Sequence, residues 1–190
     1  MIGVLKSRLS LRSPLRRFRD DDRGFLSVEA VFVLPLLIWV FLAMFVYWDA
    51  FRSQNTHIKA SYTISDMLSR EQTAVTPTMI NGLHGIFRFV SNTNENTWIR
   101  ITHIQYVEGT DRHNVVWRYT TRSSSAPNLS NATIGEMRPQ IPIMYDGDTA
   151  LIVETWRNFR PAFQVGLSDR TFYQLTVVRP RFLSPMPFTS

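Results

Sequence analysis

The chain has 190 residues, of which 44% are hydrophobic and 19% charged, with 21 Lys and Arg against 15 Asp and Glu. This length favours one domain with appended segments. The absence of cysteine excludes disulfides, thiol nucleophiles and thiolate metal sites, but it leaves the cellular compartment open.

The positive charge is concentrated at the N-terminus. Residues 1–24 carry seven basic and three acidic side chains, a net charge of +4, whereas residues 25–190 carry 14 basic and 12 acidic side chains, a net charge of +2. The excess charge therefore gives little support to nucleic-acid binding by the body of the chain, and we expect no nucleic-acid partner. A basic segment next to an apolar one indicates a membrane surface instead.

The most apolar part of the chain follows this basic segment. Residues 30–48 include no charged side chain, and a helix of that length extends roughly 28 Å, close to the thickness of a bilayer hydrocarbon core. We therefore predict a transmembrane helix over residues 25–50. The alternatives are a buried core helix, which the remaining chain is too short to cover, and a cleaved secretory signal, whose apolar region is shorter and ends in small residues.

The distribution of basic residues predicts the orientation of this span. Seven Lys and Arg precede it, whereas only Arg52, Lys59 and Arg70 come within about twenty residues after it. The positive-inside rule places the N-terminus in the cytoplasm and residues 51–190 outside.

Residues 51–190 have the pattern of an α+β domain. Apolar residues at helical spacing extend the first helix as a stem to about residue 70, and a second short helix begins with Thr76 as N-cap and Pro77 in the first turn. Period-two patterns then predict a four-stranded antiparallel sheet. The predicted strands cover residues 97–107, 114–120, 149–157 and 171–179.

The segment 121–148 is rich in Ser, Asn, Pro and Gly and is predicted to be a long loop. Loops of this length inside a compact domain are usually functional or disordered. Its two interpretations are a partner-binding loop and a mobile insertion with no dedicated partner.

Residue patterns for catalysis are missing from the sequence. The four histidines are scattered and have no metal-binding spacing, and no phosphate-binding glycine loop or nucleophile elbow is present. The acidic pair in Asp146-Gly147-Asp148 is interpreted as a turn. Trp98, Trp117 and Trp156 are core candidates before they are binding candidates. We expect no enzyme, no cofactor and no metal site.

The start of the apolar run, "RGFLSVEAVFVLPLLI", has a basic leader, then Gly24, Phe25 and Glu29, and then a long apolar helix. This arrangement resembles the class III signal of type IV prepilins. The resemblance implies that residues 1–24 are a cytoplasmic leader, that a membrane-embedded prepilin peptidase cleaves after Gly24, and that Phe25 becomes the new N-terminus. Gly24 suits such a site because a residue without Cβ lets the backbone enter a narrow cleft.

The C-terminal part of the chain makes the resemblance more specific. "VETWRNFRPAF" (153–163) and "VVRPRF" (177–182), together with the N-terminal motif, resemble the TadE/TadF-type minor pilins, or pseudopilins, of the tight-adherence Flp type IV pilus. The match implies a pilin-like fold, a role in pilus assembly and surface adherence, and a bacterial inner-membrane protein with a periplasmic domain. Implied partners are the prepilin peptidase, other minor pilins, the major Flp pilin and the Tad secretion platform. A TadE-like and a TadF-like role both stay open, as do a place in the fibre and a place at its base.

Two further residues of the apolar segment fit this assembly role. Glu29 of one subunit is expected to pair with the ammonium group at Phe25 of a neighbour, because such a pair is strong in a low dielectric. The alternative for Glu29 is a solvated carboxylate favoured by the helix dipole. Pro35 removes one helical hydrogen bond and allows a kink. The alternative function is an uncleaved, single-pass, membrane-anchored periplasmic binding module.

Overall fold

The computed structural model describes the backbone of residues 23–189 and the side chains of residues 28–189. The described part contains a long N-terminal helix, a second short helix and a four-stranded antiparallel sheet, the α+β arrangement expected from the sequence. The chain divides into two compact units with the boundary between Phe45 and Val46. The predicted leader, 1–24, lies outside the described residues apart from its last two positions.

Helix α1 runs without interruption over Arg23–Ser69, which confirms the prediction of one continuous helix to about residue 70. At its C-terminus the last turn tightens, since the Arg70 and Glu71 amides donate to the Met67 and Leu68 carbonyls, each at 3.2 Å. The Glu71 carboxylate then accepts the Thr73 hydroxyl at 2.6 Å, a bond that lowers the pKa of Glu71. These contacts end the helix without a glycine.

Helix α2 covers Pro77–Val90 and begins as predicted. The Thr76 hydroxyl accepts a hydrogen bond from the Met79 amide at 3.2 Å, and Pro77 occupies the first turn, where no amide donor is needed. One stripe of the helix is buried and consists of Ile80, Leu83 and Phe87. The chain then turns at Asn92, which adopts a positive φ of 46°.

The sheet has the strand order β2-β1-β3-β4, with every neighbouring pair antiparallel. Its strands are β1 (Thr97–Val107), β2 (Arg112–Thr120), β3 (Thr149–Phe159) and β4 (Arg170–Val178). All four strands were predicted, and their ends differ from the predicted ends by at most two residues. The register between β1 and β2 shifts between His103 and Ile104, where sequence alternation alone gives no sign of a bulge.

Both faces of the sheet are covered, and each has its own apolar core. The face that carries Ile99, Ile101, Leu151 and Val153, here called the helix face, packs against α1 and α2. The opposite face, here called the second face, is covered by the segment between β2 and β3. Its core consists of Ile104, Leu129, Ile134, Ile141, Met144, Ala150 and Ile152.

The segment 121–148 differs from the predicted long loop. It forms a short helix α3 (Asn131–Glu136), begun by the Ser130 hydroxyl, and a 3₁₀ turn at Arg138–Gln140. Ile134 is fully buried and packs on the second face of the sheet. The interpretation as a mobile insertion is therefore wrong for this part of the segment, because a sheet with apolar residues on both faces needs a cover on each.

Candidate functional site

The apolar part of α1 presents its side chains outward. Apart from the half-buried Leu42, the large hydrophobic side chains from Val28 to Phe45 are 42% exposed or more, and Phe32 reaches 75%. The helix is long and apolar enough to cross a membrane, with a mean hydropathy of 2.6 in its most apolar window, of which 6% is buried. Exposed apolar surface of this extent indicates an apolar surrounding, a membrane or a partner.

Gly24 and Phe25 lie in the first turn of this helix, where the structure describes the backbone alone. Their backbone is helical, so an extended segment at this bond requires the first turn to unwind. A terminal turn unwinds at little cost, because its amides have no partner within the helix.

The carboxylate of Glu29 stands on the exposed surface of α1 between apolar neighbours. Val28 is 57% exposed and Phe32 is 75% exposed. An acid in this position is a poor match for hydrocarbon unless a cation reaches it, since burial of an unpaired charge is expensive.

Helix α1 continues through Pro35. Because proline has no amide hydrogen, the carbonyl of Val31 receives no hydrogen bond from position 35. The structure places Glu29 and Pro35 on the apolar segment, and both lie far along the chain from the residues of the sheet.

The second compact unit, Val46–Ser190, is here called the packed unit. Its part of α1, residues 46–69, buries small polar side chains against the helix face. Ser61 and Ser65 are fully buried, and His57 is 1% exposed. The Ser61 hydroxyl donates to the His57 carbonyl at 2.9 Å and therefore accepts from Thr155 at 2.6 Å. The Thr155 contact to the Gln174 carbonyl is longer, 3.4 Å. Thr155 then accepts from Nε2 of His57 at 3.3 Å, which assigns the proton of the imidazole to Nε2.

Burial keeps this histidine neutral. It lowers the pKa of His57 to about 4, with a further contribution from the positive charge of Arg157. His57 also borders a cavity of about 380 Å³ between α1 and β4, together with Gln54, Phe172 and Gln174. No sequence motif indicates this junction, because its polar residues come from distant elements.

The second face of the sheet carries a buried ion pair that sequence reasoning also missed. Arg100 donates to both carboxylate oxygens of Glu154, at 2.6 and 2.7 Å, and to the Pro127 carbonyl at 2.6 Å. The Tyr173 hydroxyl adds a bond to Glu154 at 2.9 Å. Arg100 and Glu154 are directly paired across β1 and β3, so their opposite charges satisfy each other where water is excluded.

Aromatic side chains extend this group. Trp98 and Trp156 stack with ring centres 6.1 Å apart, and the Arg100 guanidinium lies 5.2 Å from the Trp156 ring centre. Trp98 and Trp117 are buried, as expected of core residues, whereas Trp156 is half-buried.

The Asp146-Gly147-Asp148 turn has a structural role. Asp146 accepts the Glu108 amide at 2.9 Å, and Asp148 accepts the Tyr145 amide at 2.9 Å and pairs with Arg179 at 3.0 Å. Gly147 has a φ of 81°, which a residue with Cβ rarely adopts. Within residues 23–189 no three His, Asp or Glu side chains are grouped to share a metal ion.

Comparisons of the chain with protein-family models, curated proteins and solved structures found no match.

Proposed function

We propose that the chain is a minor pilin of the TadE/TadF type, a structural part of a tight-adherence Flp pilus system rather than a catalyst. The observation that carries the proposal is one continuous helix, Arg23–Ser69, whose first part exposes apolar side chains with Glu29 and Pro35 among them. The second part of the same helix contributes to a packed α+β unit. This combination suits a subunit that is held in a membrane before it joins an assembly.

The chemistry of assembly depends on the first turn of α1. Peptidase cleavage after Gly24 creates an ammonium group at Phe25, and Glu29 of a neighbouring subunit supplies the opposite charge. In a low dielectric this pair strongly favours one register over others, and an unpaired acid costs about 2.5–3.5 kcal/mol at the centre of a bilayer and less near its surface.

The proposed location is the bacterial inner membrane, with one span, the N-terminus in the cytoplasm and the packed unit in the periplasm. The seven basic residues of 1–24 support this orientation. The proposed partners are the prepilin peptidase, other minor pilins, the major Flp pilin and the Tad secretion platform.

Processing is tested by N-terminal sequencing of the protein from cells with an active prepilin peptidase. The mature chain should begin at Phe25. A Gly24→Val variant should keep the leader, because the side chain blocks the close approach of backbone and peptidase. Recovery of the unchanged N-terminus from the original chain in peptidase-positive cells refutes the proposal.

The pairing role of Glu29 needs a separate variant. Glu29→Ala should leave cleavage largely intact and abolish pilus assembly, whereas Glu108→Ala, which removes an exposed acid from the packed unit, should change neither. Normal pili from the Glu29→Ala strain would exclude the pairing role while leaving processing in place.

An uncleaved, membrane-anchored periplasmic binding module is the second candidate. The observation on its side is the cavity of about 380 Å³ beside His57, whose volume is within the range of small-ligand sites. Retention of residues 1–24, with function intact after deletion of the pilus genes, would select this candidate.

A further inference from the structure

Arg157 is a buried arginine that no carboxylate of the described residues contacts directly. It lies on β3 on the helix face, is 7% exposed, and donates from one terminal nitrogen to the Ser53 carbonyl at 3.2 Å. Its Nε is buried and makes no hydrogen bond. Among residues 23–189 the ion pairs engage other arginines, and no carboxylate comes within 4.0 Å of this one.

A second buried arginine of the same sheet, Arg100, has the direct counter-charge that Arg157 lacks. Arg100 holds both oxygens of Glu154, so its charge is fully neutralised. Buried charges in proteins are generally paired, because desolvation of a lone charge costs several kcal/mol. Burial lowers the pKa of Arg157, and the charges of Asp49 and Glu95 oppose this shift only in part, so the guanidinium has no counter-charge in direct contact. An anion from outside the chain would supply one.

A cavity of about 300 Å³ is available for that anion. This cavity is here called the Arg157 pocket. Its charged lining residues are Arg52, Arg157, Arg160, Asp49 and Glu95. Arg160 is already engaged by carboxylates, since its Nε lies 3.5 Å from Asp169 and 3.8 Å from Glu95. Among the described residues no carboxylate lies within 4.0 Å of Arg52 or Arg157, which leaves these two guanidinium groups available to an anion.

The position of the pocket along α1 indicates the source of the anion. Asp49 and Arg52 follow directly on the apolar run that ends at Trp48, and the Arg52 guanidinium lies 5.5 Å from the centre of the Trp48 ring. Four helical residues correspond to about 6 Å of rise, and each headgroup layer of a bilayer is about 5–7 Å thick. A helix that ends its span at Trp48 therefore brings Arg52 to headgroup depth.

We propose that the Arg157 pocket binds the phosphodiester group of a phospholipid headgroup, with Arg157 as the central donor and Arg52 and Arg160 as flanking cations. Guanidinium groups bind phosphate oxygens through paired, charge-assisted hydrogen bonds. Asp49 and Glu95 favour the single charge of a diester over the double charge of free phosphate. The inference rests on the membrane anchoring in the proposed function, but not on cleavage or pilus assembly.

The test uses the full chain, labelled with ¹⁵N-arginine, in maltoside micelles at neutral pH. The probe is dihexanoyl phosphatidylglycerol, and the readout is the Nε–H resonance of Arg157, assigned by its loss in Arg157→Lys. We expect a saturable shift with this lipid, no shift with dihexanoylglycerol, which has the same acyl chains without phosphate, and at least roughly tenfold weaker binding of inorganic phosphate.

Two matched double variants complete the experiment. Arg52→Ala/Arg160→Ala removes the exposed flanking cations and should weaken lipid binding at least roughly tenfold. Arg112→Ala/Arg122→Ala removes the same charge from exposed positions on and after β2 and should leave binding unchanged. Near-UV circular dichroism verifies that both variants are folded.

The proposal is overturned if the Arg157 resonance does not respond to the lipid, or responds equally to dihexanoylglycerol. Equal affinity for inorganic phosphate assigns the pocket to a free anion and overturns the lipid source. Unchanged binding in Arg52→Ala/Arg160→Ala also contradicts it. A chain that keeps its leader carries the same pocket, so failed processing at Gly24 leaves this result unaffected.

Discussion

The two halves of helix α1 place opposite kinds of side chain in contact with solvent. Before Val46 the large apolar residues except Leu42 are exposed, with Phe32 at 75%, whereas in the second half Ser61 and Ser65 are fully buried. Hydrophobicity therefore does not determine burial within this helix. The first half lacks an apolar surrounding in its own chain, and the second half uses small side chains to approach the sheet closely.

Acidification should have the largest effect, and it should lower the stability of the packed unit, which contains the second half of α1. Burial lowers the pKa of His57 and of His103 from 6.5 to about 4, and for His57 the charge of Arg157 adds to the effect. The unfolded imidazoles bind protons that the folded ones exclude, so stability is complete above pH 6.5 and declines as the pH falls to about 4. The loss amounts to roughly 3 kcal/mol for each imidazole.

Thermal unfolding of the full chain in maltoside micelles, followed by near-UV circular dichroism, measures this loss. His103→Met should remove a large part of the pH dependence, because both nitrogens of His103 are buried without a partner. A midpoint that stays constant across this pH window would show that the two imidazoles are not buried as described.

Removal of one member of the buried ion pair should destabilise the packed unit by about 3–5 kcal/mol. In Glu154→Ala the Arg100 charge stays on the second face without its partner, because both of its bonds to the carboxylate are lost. The double variant Arg100→Met/Glu154→Met should recover most of the loss. If the single variant is as stable as the original chain in thermal unfolding, the pair is not shielded from water.

Two phenylalanine truncations compare the halves directly. Phe87 is fully buried against the sheet, so Phe87→Ala should cost about 3–5 kcal/mol. Phe32→Ala removes the same group from an exposed position and should leave the unfolding midpoint of the packed unit unchanged. Equal losses in the two variants would mean that Phe32 packs within the chain.

The smallest effect is expected at the surface of the stem. Asp66 pairs with Arg70 at 2.9 Å and with Arg181 at 3.1 Å, and all three side chains are substantially exposed. Asp66→Asn should cost about 0–1 kcal/mol, since water and salt screen such pairs. The unfolding midpoint in low and high salt measures it, and a loss as large as that of Glu154→Ala would contradict the assignment.

Local patterns were sufficient to predict the elements of the fold. The spacing of apolar residues predicted α1 as one helix, Thr76 and Pro77 predicted the start of α2, and alternation predicted four strands. Each of these signals acts over a few neighbouring residues, through helix capping, helical periodicity or the two faces of a strand. Gly24, Phe25, Glu29 and Pro35 were likewise identified from a local motif, and their roles stay predictions.

The tertiary structure decided which polar residues meet. Arg100 and Glu154 are 54 positions apart and Ser61 and Thr155 are 94 apart, so no local pattern connects them. The packing of 121–148 on the sheet was also not predicted from the sequence. Most residues of this segment are polar, and the few that are buried, such as Ile134, form no recognisable pattern. The sequence by itself determined α1, α2, the four strands and an apolar segment with an acid near its start. Only packing decided which buried charges are neutralised. Among residues 23–189, Arg157 has no carboxylate within 4.0 Å because its position on β3 directs it toward α1, away from Glu154 on the second face.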